Sequence, residues 1–74
     1  MIPKEWSERY QQFVKDIEEH GFEWIMYKGR FFYEGPAVMS DEQSNMKNMQ
    51  EIIRATKVQC QWDNLGLDYI VYPK

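Results

Sequence analysis

The chain of 74 residues carries nine Lys and Arg against twelve Asp and Glu, a formal charge of −3, and 16% of its residues are aromatic. A chain of this length can enclose only one hydrophobic core, so we expect a single domain over residues 1–74. The acidic balance disfavours non-specific binding to phosphate backbones, while one cysteine and one histidine exclude an internal disulfide and the usual Cys/His set of a structural zinc.

The first predicted element is a helix that begins at Pro3, since proline suits a first helical turn. An apolar stripe with helical spacing follows, and Asp16 is assigned with other polar residues to the solvent-facing side. The stripe consists of Trp6, Tyr10, Phe13, Val14 and Ile17. His20 and Gly21 indicate the end of the helix, because glycine adopts the left-handed conformation that caps many helices.

The segment after this helix has the pattern of a β-hairpin. We predict strands over 22–28 and 30–34, joined by a two-residue turn at Lys28-Gly29. The predicted cross-strand pairs are Tyr27 with Arg30, Met26 with Phe31, Ile25 with Phe32, and Trp24 with Tyr33. Gly35-Pro36 is expected to interrupt the pairing, and residues 37–39 extend the second strand beyond that kink.

A second helix is predicted after Ser40, which forms a capping box with Gln43. Its apolar stripe consists of Met46, Met49, Ile52 and Ile53, and we interpret the two methionines as core residues. The helix should end near Thr56. A start closer to Ser44 stays open, because residues 41–45 are all polar.

The last elements form a second predicted hairpin. Val58, Cys60 and Trp62 alternate with glutamines, which is the pattern of a half-buried strand. Asp63-Asn64-Leu65-Gly66 fits a type I turn with Gly66 in the left-handed conformation, followed by a strand over 68–72. The predicted pairs are Gln61 with Tyr69, Cys60 with Ile70, and Gln59 with Val71. The predicted inner face carries Val58, Cys60, Trp62 and Ile70.

The element order α-β-β-α-β-β predicts an α+β two-layer sandwich. It contains a four-stranded antiparallel sheet with both helices on one face and the other face open. The order fits a ferredoxin-like fold whose first strand has moved to the C-terminus, with strands in the spatial order 1-2-4-3. The alternative is a simpler sheet in which the two hairpins pack edge to edge.

Two blocks of this sequence, GRFFYEGPAV and CQWDNLGLDYIVYP, resemble a group of short cyanobacterial proteins with similar Gly-Arg-Phe and Cys-Gln-Trp-Asp blocks. The likeness covers residues 29–38 and 60–73. It implies a cyanobacterial, cytosolic setting and carries no activity with it.

The residues that could carry chemistry favour structural roles, so we expect no enzyme and no cofactor or metal site. Cys60 is expected on the packed face, and His20 at a helix end. Asp63 and Asp68 flank a turn without the dozen-residue ligand series of a calcium loop. The leader-like apolar segment of a secreted protein and an apolar run of about 20 residues are both missing from the sequence. We therefore expect a cytoplasmic protein without membrane association.

The predicted function is a non-catalytic protein–protein interaction or adaptor module that uses the open aromatic sheet face. Its expected binding residues are Tyr27, Arg30, Phe32, Gln59, Gln61 and Tyr69, whose Tyr, Phe and Arg side chains are types that contribute strongly to interfaces. The expected partner is another protein or a second copy, because a core this small gains from association.

The alternative is single-stranded nucleic-acid binding through the same face. Residues 28–35 occupy the place of the aromatic segment of RNA-recognition motifs, and Lys28, Gly29 and Phe32 match that segment. Arg30, Phe31 and Gly35 depart from it, and the chain is acidic. Nucleic acid is therefore the less favoured partner.

Overall fold

A computed structural model describes residues 2–26, 35–40, 45–66 and 68–74 of the chain. Its elements are α1 (Glu8–Glu19), β1 (Ile25–Met26), β2 (Pro36–Ser40), α2 (Asn45–Ala55), β3 (Cys60–Leu65) and β4 (Asp68–Pro73). The four strands form an antiparallel sheet in the order β1-β2-β4-β3. The α+β class, the element order and the strand order are therefore confirmed. Neither described helix is long and apolar enough to cross a membrane.

Helix α1 begins later than predicted and ends where predicted. Ser7, not Pro3, is its N-cap residue. At the other end Gly21 has a φ of +81°. Its N–H donates to the Glu18 oxygen (3.1 Å), and the Phe22 N–H donates to the Ile17 oxygen (3.0 Å). These two bonds form a Schellman motif, which satisfies carbonyl groups that the helix end leaves unpaired.

Helix α2 covers Asn45–Ala55, which agrees with the predicted end near Thr56. Both predicted starts, after Ser40 and near Ser44, fall on residues 41–44, which lie outside the described residues. Met49 and Ile52 are buried, as their spacing predicts, whereas Met46 is exposed. The predicted capping pair includes Gln43, which lies outside the described residues. Ser40 belongs to β2 and accepts a hydrogen bond from the Asn48 amide at 3.4 Å.

The register predicted for the first hairpin is wrong. Ile25 pairs with Ala37 and Met26 with Pro36, whereas the predicted partners Phe32 and Phe31 lie outside the described residues. Pro36 therefore begins a strand where an interruption was predicted, which is a position where proline is tolerated. The predicted turn at Lys28-Gly29 and the strand over 30–34 fall outside the described residues.

The register predicted for the second hairpin is also wrong. Gln61 pairs with Tyr72, and Leu65 pairs with Asp68. The loop starts at Gly66, so Asp63, Asn64 and Leu65 remain in β3. The actual register differs from the predicted one by three residues, and an odd shift moves one strand's side chains to the opposite face of the sheet.

The core lies on the sheet face that carries Val38 and Val71, which we call the core face. Both helices contribute to this cluster of buried side chains, which contains Phe13, Val14, Ile17, Val38, Met49, Ile52 and Val71. Val38 and Val71 are register partners on the adjacent strands β2 and β4. Burial of large apolar side chains is the main source of stability in such a domain.

The opposite face of the sheet, which we call the second face, is not open at its centre. Ala37, Ile70 and Tyr72 form a separate buried cluster there, and the first two have no exposed surface. Ile70 was predicted on the inner face with Cys60. The observed register places it on the second face with Asp63, its partner on β3.

Gly35 joins the start of β2 to α1 by close packing. A Cβ atom at this position would lie 2.7 Å from two carbons of the Tyr10 ring. Real Cβ atoms do not approach a ring this closely, so the contact requires glycine. Tyr10 itself is buried on α1. The contact thus helps to fix the position of the helix relative to the sheet.

Candidate interaction surface at the edge of the sheet

Strand β3 lies at the edge of the described sheet, with β4 on one side. The Lys74 N–H donates to the Gln59 oxygen at 3.0 Å, which identifies these two residues as a directly hydrogen-bonded pair. Antiparallel ladders alternate between bonded and non-bonded pairs. Gln61 and Asp63 therefore direct their backbone groups towards β4. Those of the alternate residues Cys60, Trp62 and Asn64 point away from the sheet.

Trp62 is the large aromatic side chain on this edge, and 43% of its surface is exposed. Its ring meets the Tyr69 ring edge to face, with centroids 5.4 Å apart and an interplanar angle of 75°. Tyr69 is half-buried and packs against the core cluster. The contact with Tyr69 thus restrains the Trp62 ring, while the ring remains accessible to solvent. A restrained and exposed aromatic ring is suited to anchor an interface.

One of the outward-facing backbone groups along this edge is already occupied within the chain, because the Asn64 N–H donates to the Asp63 carboxylate at 2.8 Å. Val58 lies in a bend before β3, and its oxygen accepts a bond from the Thr56 hydroxyl at 2.9 Å. The N–H and C=O of Cys60 and of Trp62 make no hydrogen bond within the described part of the chain.

This edge, with the Trp62 and Tyr69 rings, forms what we call the β3 edge surface. Neither lysine nor proline occurs among Cys60–Leu65. These are the residues that commonly prevent a free edge from pairing with another strand. Within the described part of the chain, the β3 edge surface therefore presents unbonded backbone groups at Cys60 and Trp62, an aromatic anchor and no such block.

The structure describes three of the six predicted binding residues, Gln59, Gln61 and Tyr69. Tyr27, Arg30 and Phe32 lie outside the described residues. Gln61 and Tyr69, predicted to face each other on one open face, lie on opposite faces, because Gln61 pairs with Tyr72 and Tyr69 with Asn64. Gln59 is exposed and precedes β3. Among these three described residues, Tyr69 contributes a ring to the β3 edge surface.

Sequence reasoning missed Trp62 as a surface residue because the alternation around it fits a buried strand equally well. Its exposure follows from its place on an edge strand, which depends on how the strands are ordered. The order 1-2-4-3, once predicted, implies that β3 is an edge. This edge position was the one signal in the sequence from which the exposure of Trp62 could have been predicted.

Asp16 was also missed, since the helical pattern assigned it to the solvent-facing side. It is 1% exposed and accepts two hydrogen bonds, from the Lys57 N–H at 2.7 Å and from the Gln12 amide at 2.8 Å. Lys57 follows α2, so the carboxylate links α1 to the segment that leads into β3. No local sequence signal marks this role, because Lys57 is 41 residues away.

The two candidate catalytic side chains of the sequence analysis, Cys60 and His20, make local contacts in the structure. Burial raises the pKa of the Cys60 thiol, and the Asp16 carboxylate raises it further, against a lowering effect of the hydrogen bond between the thiol and the Thr56 hydroxyl. The raised pKa keeps the thiol protonated near neutral pH, and a protonated thiol is a poor nucleophile. His20 is the C-cap of α1, and its Nδ1 donates to the Asp16 main-chain oxygen at 2.9 Å. Across residues 2–26, 35–40, 45–66 and 68–74, no three His, Cys, Asp or Glu side chains group as metal ligands.

Comparisons with protein-family models, curated proteins and solved structures found no match for the chain. The resemblance to short cyanobacterial proteins and the permuted ferredoxin-like arrangement therefore stay predictions.

Proposed function

We propose that this protein is a non-catalytic protein–protein interaction module and that it binds its partner through the β3 edge surface. The observation that carries the proposal is the position of Trp62, whose exposed ring sits beside unpaired backbone groups on an edge strand. Addition of a strand to such an edge is a common mode of protein recognition. We place this activity in the cytoplasm, which the single free thiol of Cys60 supports.

The proposal combines two sources of affinity. Main-chain hydrogen bonds from Cys60 and Trp62 would give a partner strand its register, and the Trp62 ring would add apolar contact area. Tryptophan is among the residues most enriched at energetic centres of interfaces. Tyr69 limits the motion of the ring, so less side-chain entropy is lost on binding.

Single-stranded nucleic acid is the less favoured partner for this surface. Bases could stack on Trp62, but its neighbour Asp63 and the nearby Asp68 carry carboxylates that repel phosphates. The net charge of −3 acts in the same direction. The experiment below therefore treats nucleic-acid binding as an outcome that would contradict the proposal.

A photo-crosslinking amino acid placed at position 64 tests the proposal directly. Asn64 is exposed on the β3 edge surface, and Glu19, exposed on α1, is the matched control position. We expect irradiation in the native cells to crosslink position 64, and not position 19, to one defined protein. Trp62→Val should lower the affinity for that purified protein by about ten-fold or more, as expected for loss of an interface tryptophan.

Two results would contradict the proposal. One is crosslinking from position 19 with none from position 64, which would place the interface elsewhere. The other is tighter binding to single-stranded oligonucleotides than to any captured protein, with an affinity that falls steeply as salt rises. Circular dichroism of each variant confirms that the fold is retained.

A further inference from the structure

A cleft of about 320 Å³ lies between the end of α1 and the last two turns of α2, and we call it the helix-end cleft. It is lined by His20, Phe22, Glu51, Arg54 and Ala55. We infer that this cleft binds a free α-amino acid with a large apolar side chain. The cleft shares no residue with the β3 edge surface, so the inference is independent of the proposed function.

The α1 side of the helix-end cleft is held in place by hydrogen bonds at the end of the helix. The His20 Nδ1 donates to the Asp16 oxygen at 2.9 Å. The Phe22 N–H donates to the Ile17 oxygen at 3.0 Å, and the Phe22 side chain, which is half-buried, packs against the core cluster. The cleft therefore has a preformed wall with an aromatic ring, which is usual for small-molecule sites.

The α2 side of the cleft carries one negative and one positive side chain. Glu51 and Arg54 are both exposed, and neither side chain makes a hydrogen bond or an ion pair with another described residue. Residues three positions apart are neighbours on one side of a helix. The available carboxylate and guanidinium can therefore bind the ammonium and the carboxylate of one zwitterion through charge-assisted hydrogen bonds.

The His20 ring supplies a further acceptor to the cleft. The Asp16 main-chain oxygen can only accept, so Nδ1 carries the proton of the neutral ring. The Nε2 atom is then an acceptor, and it makes no hydrogen bond to the part of the chain that the structure describes. The lining thus offers acceptors to an ammonium group at Glu51 and His20, and a donor to a carboxylate at Arg54.

The remaining lining determines the side chain of the ligand. The Phe22 ring and the Ala55 methyl group provide apolar surface, which favours an aromatic or a large aliphatic side chain. The volume lies at the small end of the range for ligand cavities and suits a single amino acid. Because Glu51 and Arg54 are exposed, their ion pairs with a ligand are weak. We therefore expect a dissociation constant of roughly 1–10 mM for L-phenylalanine.

Titration of the full chain with L-phenylalanine, followed by the NMR chemical shifts of its backbone amides, tests the inference. We expect saturable shifts at the residues that line the helix-end cleft. N-acetyl-L-phenylalanine lacks the ammonium group, and L-phenylalanine amide lacks the carboxylate. Each should bind at least about three-fold more weakly than L-phenylalanine, because one of the two ion pairs is lost.

Two variants connect the charges of the ligand to individual residues. Glu51→Gln should weaken the binding of L-phenylalanine by about three-fold and leave that of N-acetyl-L-phenylalanine unchanged. Arg54→Gln should weaken the binding of L-phenylalanine by about the same factor and leave that of the amide unchanged. Glu8→Gln and Lys15→Gln remove the same charges from exposed positions on α1, and these control variants should bind like the parent.

Three results would overturn the inference. The first is the absence of saturable shifts up to about 20 mM L-phenylalanine, which is above the expected dissociation constant. The second is equal affinity for the three compounds, which would show that the cleft makes apolar contact only. The third is binding of L-phenylalanine by Glu51→Gln and Arg54→Gln that equals binding by the α1 controls. Melting curves of each variant confirm that the fold is retained.

Discussion

At the scale of single residues, Gly66 shows a conformational requirement that could be predicted from the sequence. Its φ of +70° confirms the predicted left-handed conformation, although the turn around it differs from the predicted one. Gly66 follows Leu65, whose partner is Asp68, so it is the first residue of a two-residue hairpin loop. Such loops favour turn types with positive φ at this position, because the twist of those turns matches that of the strands.

Replacement of Gly66 should destabilise the protein through its backbone alone. No atom lies within 4 Å of a Cβ built at this position, so alanine meets no steric clash with its neighbours. We expect Gly66→Ala to lower the free energy of unfolding by about 1–2 kcal/mol, measured by urea denaturation. Gly66→Asn is the control and should lose less, since asparagine tolerates the left-handed region. Equal stability of the alanine variant and the parent would show that the loop has another conformation.

At the scale of elements, buried Asp16 fixes the relation between α1 and the segment after α2. The Lys57 N–H, which donates to its carboxylate, comes just after α2 has ended. A backbone donor in this place has no helical partner, and the bond to Asp16 is partly buried, so an unpaired N–H there costs free energy. Asp16 is therefore part of the packing between elements, although it is a charged residue in a surface helix.

Asp16→Ala should lower the free energy of unfolding by about 1–3 kcal/mol, because it removes the acceptor and leaves the Lys57 N–H unsatisfied. Gln12→Ala is the matched control. It removes the other donor to the same carboxylate but leaves the bond to Lys57 intact. The two variants are compared in parallel urea titrations. If Asp16→Ala loses no more free energy of unfolding than Gln12→Ala, the result contradicts the proposed link between α1 and the segment after α2.

The elements could be predicted from local patterns, but their registers could not. The end of α1 at His20 and Gly21 and the end of α2 near Thr56 depend on nearby residues, and both predictions are confirmed. The hairpin registers depend on where a loop closes. Asp63-Asn64 has turn chemistry as good as that of Gly66, and period-two alternation looks the same after any shift. The two registers were therefore predicted wrongly because local sequence patterns do not determine which distant residues pair.

The same limit explains the candidate site. Tyr69 was predicted as a binding residue on an open face, yet the shift of three residues places it on the core face beside Trp62. The open face was predicted from the order of the elements, in which both helices cover one side of the sheet. Burial of Ile70 and Tyr72 on the second face was therefore not expected. An edge-strand surface could be inferred from the predicted strand order alone, but not its composition.

At the scale of the whole molecule, the account depends on β3 having an unpaired outer edge in the single chain. A small domain has a thin core and limited net stability. A free edge with an exposed tryptophan is a liability for such a chain unless it is used. Pairing of this edge would cover the Trp62 ring and satisfy the free groups of Cys60 and Trp62 together.

Amide hydrogen exchange, followed residue by residue by NMR, tests this claim most directly. In dilute protein we expect the Gln61 and Asp63 amides, which face β4, to exchange slowly. The amides of Cys60 and Trp62, which point away from β4, should exchange quickly. Slow exchange of the Trp62 amide in dilute protein would show that the chain covers this edge itself, and it would contradict the account.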